Sequence, residues 1–257
     1  MSSADAATTH PSAPWLVTPA GRQLLLEDLA RGERLGRHLA RLVLVMAAGA
    51  ALYGAALGAW HGGRQALYAA IKLPLVLVVT SALTLLFNWL VGTLLGLRLG
   101  FVHTAVLTFF ALTVASVLLA SLAPVAWFYT VSLPPPSTDA RLAHNLLYLL
   151  HTAHVGGCGL AGTAALWQLL RRLRPDARRL RAAFAAWLLT FALVGGEVAW
   201  SLRPFVGSVY EPTTFLRRDA LDGNVYEFVI TDIVPYLLQR LGLTAPSPTP
   251  SPTPEGS

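Results

Sequence analysis

The segment from residue 142 to 170 carries side chains with ligand chemistry inside an otherwise apolar run. At about 100° per residue, four of them fall within about 80° of one another on one helical face, and they are His144, His151, His154 and Cys158, with Asn145 beside them. Imidazole groups bind metal ions and haem iron. A closed metal site or paired haem ligands need a second histidine-bearing segment, and His103, the other histidine in an apolar run, lies toward the opposite end. We therefore expect a polar helix interface or a water-filled cavity here, with no cofactor and no metal.

Three charged residues lie within or at the end of other apolar runs: Lys72, Glu197 and Arg203. A charge at the centre of a bilayer costs roughly 2.5–3.5 kcal/mol on insertion scales, and an isolated buried carboxylate is protonated instead. The three residues lie at similar predicted depths. We therefore predict one connected polar cluster near the outer face, bordered by His144, Asn145, His151 and His154. A lysine that extends its amine toward the headgroups is the alternative for Lys72.

Five long apolar runs position these residues, at 42–60, 67–95, 101–130, 142–170 and 182–202. Hydrophobic residues make up 54% of the chain and charged residues only 12%, whereas soluble domains carry about 25% charged residues. A membrane-spanning helix needs about 20 mainly apolar residues. The sequence therefore predicts an all-α, polytopic bundle of five transmembrane helices over residues 42–202, with neighbours in sequence running antiparallel.

Arginine is distributed unequally between the two sides of this predicted bundle. Five arginines precede the first run, Arg98 follows the second, and six lie between the fourth and fifth, whereas the opposite loops hold only Arg64 and Arg141. Positively charged loops remain in the cytoplasm, so we expect a cytoplasmic N-terminus. The alanine-, leucine- and arginine-rich composition suggests the inner membrane of a bacterium. Because the net charge of +6 comes mainly from these flanks, we expect no nucleic-acid partner.

The flanking segments are less apolar. Residues 1–17 and 242–257 are predicted to be disordered. Residues 18–41, with Thr18 as a helix N-cap before a proline, are predicted to form an amphipathic helix on the cytoplasmic membrane surface. The alternative is an ordinary solvated helix packed on the loops of the protein. Residues 203–241 are predicted to be extracytoplasmic and to contain a second amphipathic helix at 225–241, for which a sixth membrane span is the alternative.

Small residues are concentrated on two of the runs. Gly54 and Gly58 form a GxxxG pattern on the first, and the fourth is rich in glycine from Gly156 to Gly162. Small residues allow helix backbones to approach closely. We expect them to pack helices within the bundle, with a homodimer contact as the alternative.

Two short stretches resemble a known group of proteins. One runs from Ile71 through Lys72 and Pro74 to Thr80, and the other from Trp200 through Arg203 to Ser208. Together they resemble an uncharacterised family of bacterial multi-span inner-membrane proteins that is loosely similar in hydropathy to the Yip family of membrane-trafficking proteins. The resemblance covers residues 40–210, implies no activity, and singles out Lys72 and Arg203.

No catalytic motif accompanies these features: the sequence contains no nucleophile elbow, phosphate-binding loop or zinc-protease signature. We therefore expect a non-enzymatic membrane protein that binds membrane lipid, or a membrane-protein partner, through a polar pocket in the outer leaflet. A transporter of small solutes or ions, and an intramembrane haem or quinone protein, are the alternatives.

Overall fold

The computed structural model of the protein describes residues 18–137, 140–174, 179–207, 213–217, 220–235 and 238. These residues are helical or in turns, and no strand occurs among them. The helices are α1 (Pro19–Arg31), α2 (Leu35–Gly58, followed by a 3-10 turn at Ala59–His61), α3 (Gly63–Leu94), α4 (Phe101–Ser132), α5 (Arg141–Leu173), α6 (Leu180–Ser201) and α7 (Val225–Phe228, followed by a π-helical turn at Val229–Ile233). The predicted disordered segments 1–17 and 242–257 lie outside the described residues, as does the end of the predicted helix 225–241.

Four of the described helices are long and apolar enough to cross a membrane: Leu35–His61, Gly63–Leu94, Phe101–Ser132 and Leu180–Ser201. The prediction of an all-helical membrane bundle is thus confirmed at this level. Helix α5 has 33 residues, similar to α3 and α4, but its polar face keeps it out of this set. The predicted number of five spans stays a prediction.

Helix α1 shows why the predicted helix over 18–41 is divided in two. The Thr18 hydroxyl accepts a hydrogen bond from the Gly21 amide at 3.2 Å and Pro19 follows, as the sequence predicts. The helix ends at Arg31 because Gly32 adopts a left-handed conformation with φ of 72°, which glycine favours. The buried Leu25 and Leu29 belong to the protein core, and α1 contacts α2 and α5, so α1 packs on helices of the bundle rather than on loops.

Glycine residues bring the central helices into backbone contact. A methyl group added to Gly54 or Gly58 would collide with a carbonyl oxygen of α3, that of Ala69 or Gln65. Gly162 on α5 faces the Ala111 carbonyl of α4 in the same way. The predicted packing role of the GxxxG pattern is therefore seen within this one chain, between α2 and α3.

Helices α2, α3 and α4 form the centre of the bundle, with α5 against α4 and α6 against α3. Helices α3 and α6 run antiparallel: the Trp187 indole donates to the Asn88 carbonyl at 2.6 Å, and Gly195 lies beside Thr80. Helices α5 and α6 make few contacts with each other. This separation leaves an opening in the side of the bundle.

The segment that follows α6 folds back into one end of the bundle, which we call the outer end and which also holds residues 59–62 and 133–137. Pro204, Val206 and Gly207 are buried there, and Val206 packs in a core cluster with Tyr53 and Trp60. The opposite, inner end holds α1 and residues 95–100. The folded-back segment thus supplies backbone groups to the outer end of the bundle.

Candidate functional site

Two side chains of α3 hold the folded-back segment in place. The Lys72 ammonium donates to the Pro204 carbonyl at 2.9 Å. The Gln65 amide donates to the same carbonyl at 3.0 Å and to the Phe205 carbonyl at 2.8 Å. Both side chains have no exposed surface. The two stretches that carry the family resemblance therefore meet in space, at the contact between Lys72 and Pro204.

Lys72 is a buried cation whose neighbours are aromatic. Its ammonium lies 5.8 Å from the ring centre of Phe205 and 5.2 Å from that of Phe215. Rings at such distances attract a cation through their negative faces. Lys72 does not form an ion pair with Glu197: among the described residues, the ion pairs join Asp28 to Arg34 and His38 at the inner end.

Glu197 and Arg203 have other neighbours than those predicted. The Arg203 guanidinium stacks on the Trp200 ring at 3.7 Å and donates to the Trp200 carbonyl at 2.9 Å. One oxygen of Glu197 is buried without a hydrogen-bond partner. Tyr226 of α7 lies nearby; burial raises the pKa of its hydroxyl, and the Glu197 carboxylate raises it further. Glu197 therefore belongs to the contact between α6 and α7 rather than to the neighbourhood of Lys72.

The polar residues of α5 divide into two groups. His144 Nε2 forms a 3.1 Å hydrogen bond with the Gly207 carbonyl and its ring packs against Trp60 at 5.5 Å, which places it with the folded-back segment. Asn145 is exposed. Lys72 and His144 bind different carbonyls of that segment, so these two members of the predicted cluster are linked through the backbone, whereas Glu197 and Asn145 do not join them.

His151 and His154 lie about two to three turns farther along α5 than His144 and share a partner that the sequence reasoning missed. The Tyr53 hydroxyl of α2 is 2.8 Å from His151 Nδ1 and 3.1 Å from His154 Nδ1. A phenol has one hydrogen to donate, so it donates to one imidazole and accepts an N–H from the other. The buried Cys158 lies next on this face. The sequence does contain a signal for this contact, because Tyr53 is a polar side chain in the middle of the first apolar run.

This network has the chemistry of a structural hydrogen-bond chain. Its two imidazoles use Nδ1 toward Tyr53, while His151 Nε2 is buried without a partner. Across the described part of the chain, no group of three or more histidine, cysteine or carboxylate side chains is arranged to hold a metal ion. The network therefore joins α2 to α5 without assembling a set of metal ligands.

The opening between α5 and α6 leads into a cavity of about 390 Å³. Its floor comes from α3 and α4, and its rim includes Leu160 of α5 and Leu188 of α6, which are exposed. Gly156 and Gly159 line the α5 side, and a methyl group added to either would meet nothing within 4 Å. Unlike Gly54 and Gly58, these two glycines leave space that no side chain of the protein fills.

One polar side chain in the lining stands out among apolar and hydroxyl-bearing neighbours. Asn88 is 2% exposed, and its side-chain oxygen has no hydrogen-bond partner among the described residues. Its backbone carbonyl accepts from Trp187, another lining residue. A buried carboxamide oxygen without a partner costs about 1–3 kcal/mol, and here it belongs to a residue that lines the cavity. The sequence reasoning singled out neither Asn88 nor the cavity, because four helices contribute to it.

Comparison with known proteins adds no relative: no family model, curated protein or solved structure matches this chain.

Proposed function

We propose that this protein is a non-enzymatic membrane protein that binds one apolar, hydroxyl-bearing molecule of the membrane in the cavity between α5 and α6. The observation that supports this proposal is the orphan Asn88 carboxamide in a half-open apolar cavity. The volume of about 390 Å³ lies within the range of small-molecule sites, about 300–1,000 Å³. The pocket predicted in the outer leaflet is thereby replaced as the binding site, because the chain itself occupies the outer end.

An apolar cavity that opens toward lipid favours an apolar occupant. Water gains too few hydrogen bonds there, and apolar cavities of this kind stay dry. An empty cavity loses the dispersion contacts that its walls would otherwise make. Hydrocarbon enters from the surrounding bilayer without a desolvation cost, so a lipid chain is the natural occupant once α5 and α6 lie in the membrane.

Asn88 supplies selectivity for the polar group of that occupant. Lipid tails and leucine side chains are equally apolar, so the apolar walls distinguish poorly between membrane molecules. A carboxamide offers an oxygen that accepts and a nitrogen that donates. A hydroxyl group satisfies either atom, because it can donate and accept. A single-chain alcohol or a hydroxyl-bearing lipid therefore fits better than a plain hydrocarbon.

We also propose that the chain spans the membrane five times, with a cytoplasmic N-terminus, and that it lies in a bacterial inner membrane. At about 1.5 Å per residue, the 33 residues of α5 extend about 50 Å, more than the roughly 30 Å of a bilayer core. His151 and His144 of α5 bond to the Tyr53 hydroxyl and the Gly207 carbonyl. The arginine distribution supports the orientation. A reporter fused after Arg174 should be cytoplasmic and one fused after Ser208 periplasmic; a cytoplasmic signal after Ser208 would contradict the scheme.

A photoactivatable long-chain alcohol tests the binding site directly. Reconstituted protein is irradiated with the probe, and mass spectrometry then locates labelled peptides. We expect labelling of the segments around Gly159 and Trp187, and about tenfold less of it in Gly159→Leu, a change equivalent to about 1.4 kcal/mol. The leucine side chain would occupy the space of the ligand.

Gly157→Leu is the matched control. Gly157 lies on the same helix, is exposed, and likewise has nothing within 4 Å of an added methyl group, but it does not line the cavity. Its labelling should equal that of the unchanged protein. Equal loss in both variants, or labelling spread evenly over all exposed helices, would refute the proposed site.

A further inference from the structure

A second cavity, of about 360 Å³, lies at the inner end between α1, α4 and α5. Its apolar walls include Leu26, Phe110 and Leu169. Four polar side chains complete the lining: Arg22, Gln23, Gln168 and Arg172. This cavity is thus amphipathic, whereas the one between α5 and α6 is almost wholly apolar.

The two arginines of this cavity have no anionic partner in the described structure. No carboxylate of the described residues lines the cavity, and the described ion pairs of α1 involve Asp28 with Arg34 and His38. The Arg22 Nε atom is buried and has no hydrogen-bond partner among the described residues. A guanidinium N–H group buried without an acceptor is costly, so an acceptor supplied from outside the chain would stabilise this arrangement.

The position of Arg22 follows from the docking of α1. Leu25 and Leu29 are buried in the core and fix the rotation of the helix. Arg22 and Leu26, which are one turn apart, are thereby directed toward α5. There, Gln168 and Arg172 are also one turn apart and complete the opposite wall. Helices α1 and α5 thus each contribute one arginine to the lining of the same space.

We propose that this cavity binds a phosphate group between Arg22 and Arg172. Guanidinium groups bind phosphate through paired N–H donors, and the two glutamine amides add neutral donors. The apolar walls suit the glycerol and first methylene groups of a phospholipid, while a free phosphate ion would use only the polar side. The proposal does not depend on a ligand in the cavity between α5 and α6.

Two arms of one experiment distinguish the lipid headgroup from the free ion. In the first, native mass spectrometry measures phosphatidylglycerol retained by purified protein in a phosphate-free detergent. In the second, inorganic phosphate is titrated into lipid-free protein while its thermal unfolding is followed. Retention without stabilisation by phosphate supports the headgroup as the source; stabilisation without retention supports a soluble phosphate.

Arginine variants connect either result to the cavity. Arg22→Gln and Arg172→Gln should each weaken binding about tenfold, equivalent to about 1.4 kcal/mol. Arg172 is exposed, so its variant should fold even if Arg22→Gln does not. Arg171→Gln is the control, because Arg171 is an exposed neighbour outside the cavity lining, and binding should be unchanged.

Two results would overturn the proposal. The first is failure of both phosphatidylglycerol and inorganic phosphate to bind the unchanged protein. The second is an equal loss of binding in Arg171→Gln and Arg172→Gln, which would show a general attraction of anions to the basic end of α5 and not a site.

Discussion

The outer end of the bundle and the cavity between α5 and α6 both place polar side chains inside an apolar protein, but they differ in how these groups are satisfied. At the outer end, Lys72, Gln65 and His144 each bond to a carbonyl of the folded-back segment. In the cavity, the Asn88 side-chain oxygen has no partner. The Gln65 side-chain oxygen at the outer end is also buried without a described partner, but its amide holds the folded-back segment, whereas Asn88 lines a cavity. Polar groups therefore have two roles here: those at the outer end hold the chain together, and Asn88 borders a space for a ligand.

This difference predicts opposite responses to apolar substitution. Removing a donor from the outer end leaves a buried carbonyl without a hydrogen bond, which destabilises the fold. Replacing Asn88 removes an unsatisfied group and leaves nothing unpaired. Stability measurements on the ligand-free protein therefore test the comparison independently of any ligand.

The largest effect is expected when both donors to Pro204 are removed. Lys72→Met should lower the free energy of unfolding by about 1 kcal/mol, because Gln65 still donates to the Pro204 carbonyl. Gln65→Leu should lower it by about 2 kcal/mol, because the Phe205 carbonyl also loses its donor. The double variant should lose about 4 kcal/mol, since the Pro204 carbonyl then has no described donor. Denaturant titration in detergent of the unchanged protein, the two single variants and the double variant measures how far the loss in the double variant exceeds the sum of the single losses.

Comparison with a second double variant decides whether Lys72 is coupled to Gln65 or to Glu197. The sequence predicted that Lys72 and Glu197 are coupled, whereas the structure couples Lys72 to Gln65 through one carbonyl. Lys72→Met combined with Glu197→Gln should therefore be additive. A loss larger than the sum of the single losses in Lys72→Met combined with Glu197→Gln, together with additive losses in Lys72→Met combined with Gln65→Leu, would instead make Glu197 the partner of Lys72.

A second satisfied cluster, at the inner end, should respond to pH. Asp28 is 1% exposed and receives hydrogen bonds of 2.6 Å from Arg34 and from His38. Burial raises the pKa of its carboxyl, but the hydrogen bonds from His38 and Arg34 together lower the pKa by more than burial raises it. The pKa therefore lies below the usual 3.8. Because the pKa is lower in the folded protein, the stabilisation is complete above 3.8 and is lost as the pH falls through the folded value.

Substitution of Asp28 should reproduce this loss at neutral pH. Asp28→Asn should lower the free energy of unfolding by about 2 kcal/mol, as expected for charge-assisted hydrogen bonds, and should flatten the acid limb of the stability curve. Thermal unfolding from about pH 6 to about pH 3 measures both effects. Glu27→Gln, at an exposed position, is the control. An unchanged acid limb in Asp28→Asn would exclude this carboxylate as its origin.

The contact between α2 and α5 should show a smaller effect. Tyr53→Phe keeps the buried ring and removes only the hydroxyl that bonds to His151 and His154. We expect a loss of about 1.5 kcal/mol, because two imidazole nitrogens lose their partner. Tyr148→Phe is the control, since that ring is exposed on α5. Equal losses in both variants would mean that the hydroxyl of Tyr53 contributes little.

The helices and their order could be predicted from apolar runs because a spanning segment leaves a strong local signal. The partner of Lys72 could not, because it is a backbone carbonyl and every residue carries one. The break in the predicted helix 18–41 has a local cause, the left-handed Gly32, but the sequence does not locate it, because a glycine in a helical pattern weakens a helix without by itself marking where the helix ends.

The glycines show the limit of pattern reasoning most clearly. Gly54 and Gly159 look alike in the sequence, each being a small residue on an apolar helix. In the structure the first touches the backbone of α3 and the second faces open space. Which of these occurs depends on whether a neighbouring helix is present on that side, and this is decided by the packing of α6 away from α5.

The smallest expected effect, and the one of opposite sign, is at Asn88. Asn88→Leu removes the unpaired oxygen and fills part of the cavity, while the backbone carbonyl at this position still accepts from Trp187. The ligand-free variant should therefore be more stable by about 1 kcal/mol. Labelling by the photoactivatable alcohol should fall to the level of a matched hydrocarbon probe, since the hydroxyl loses its partner and the apolar walls remain. A destabilised variant would show that Asn88 is already satisfied, for example by water, and a retained preference for the alcohol would place the selective contact elsewhere in the lining.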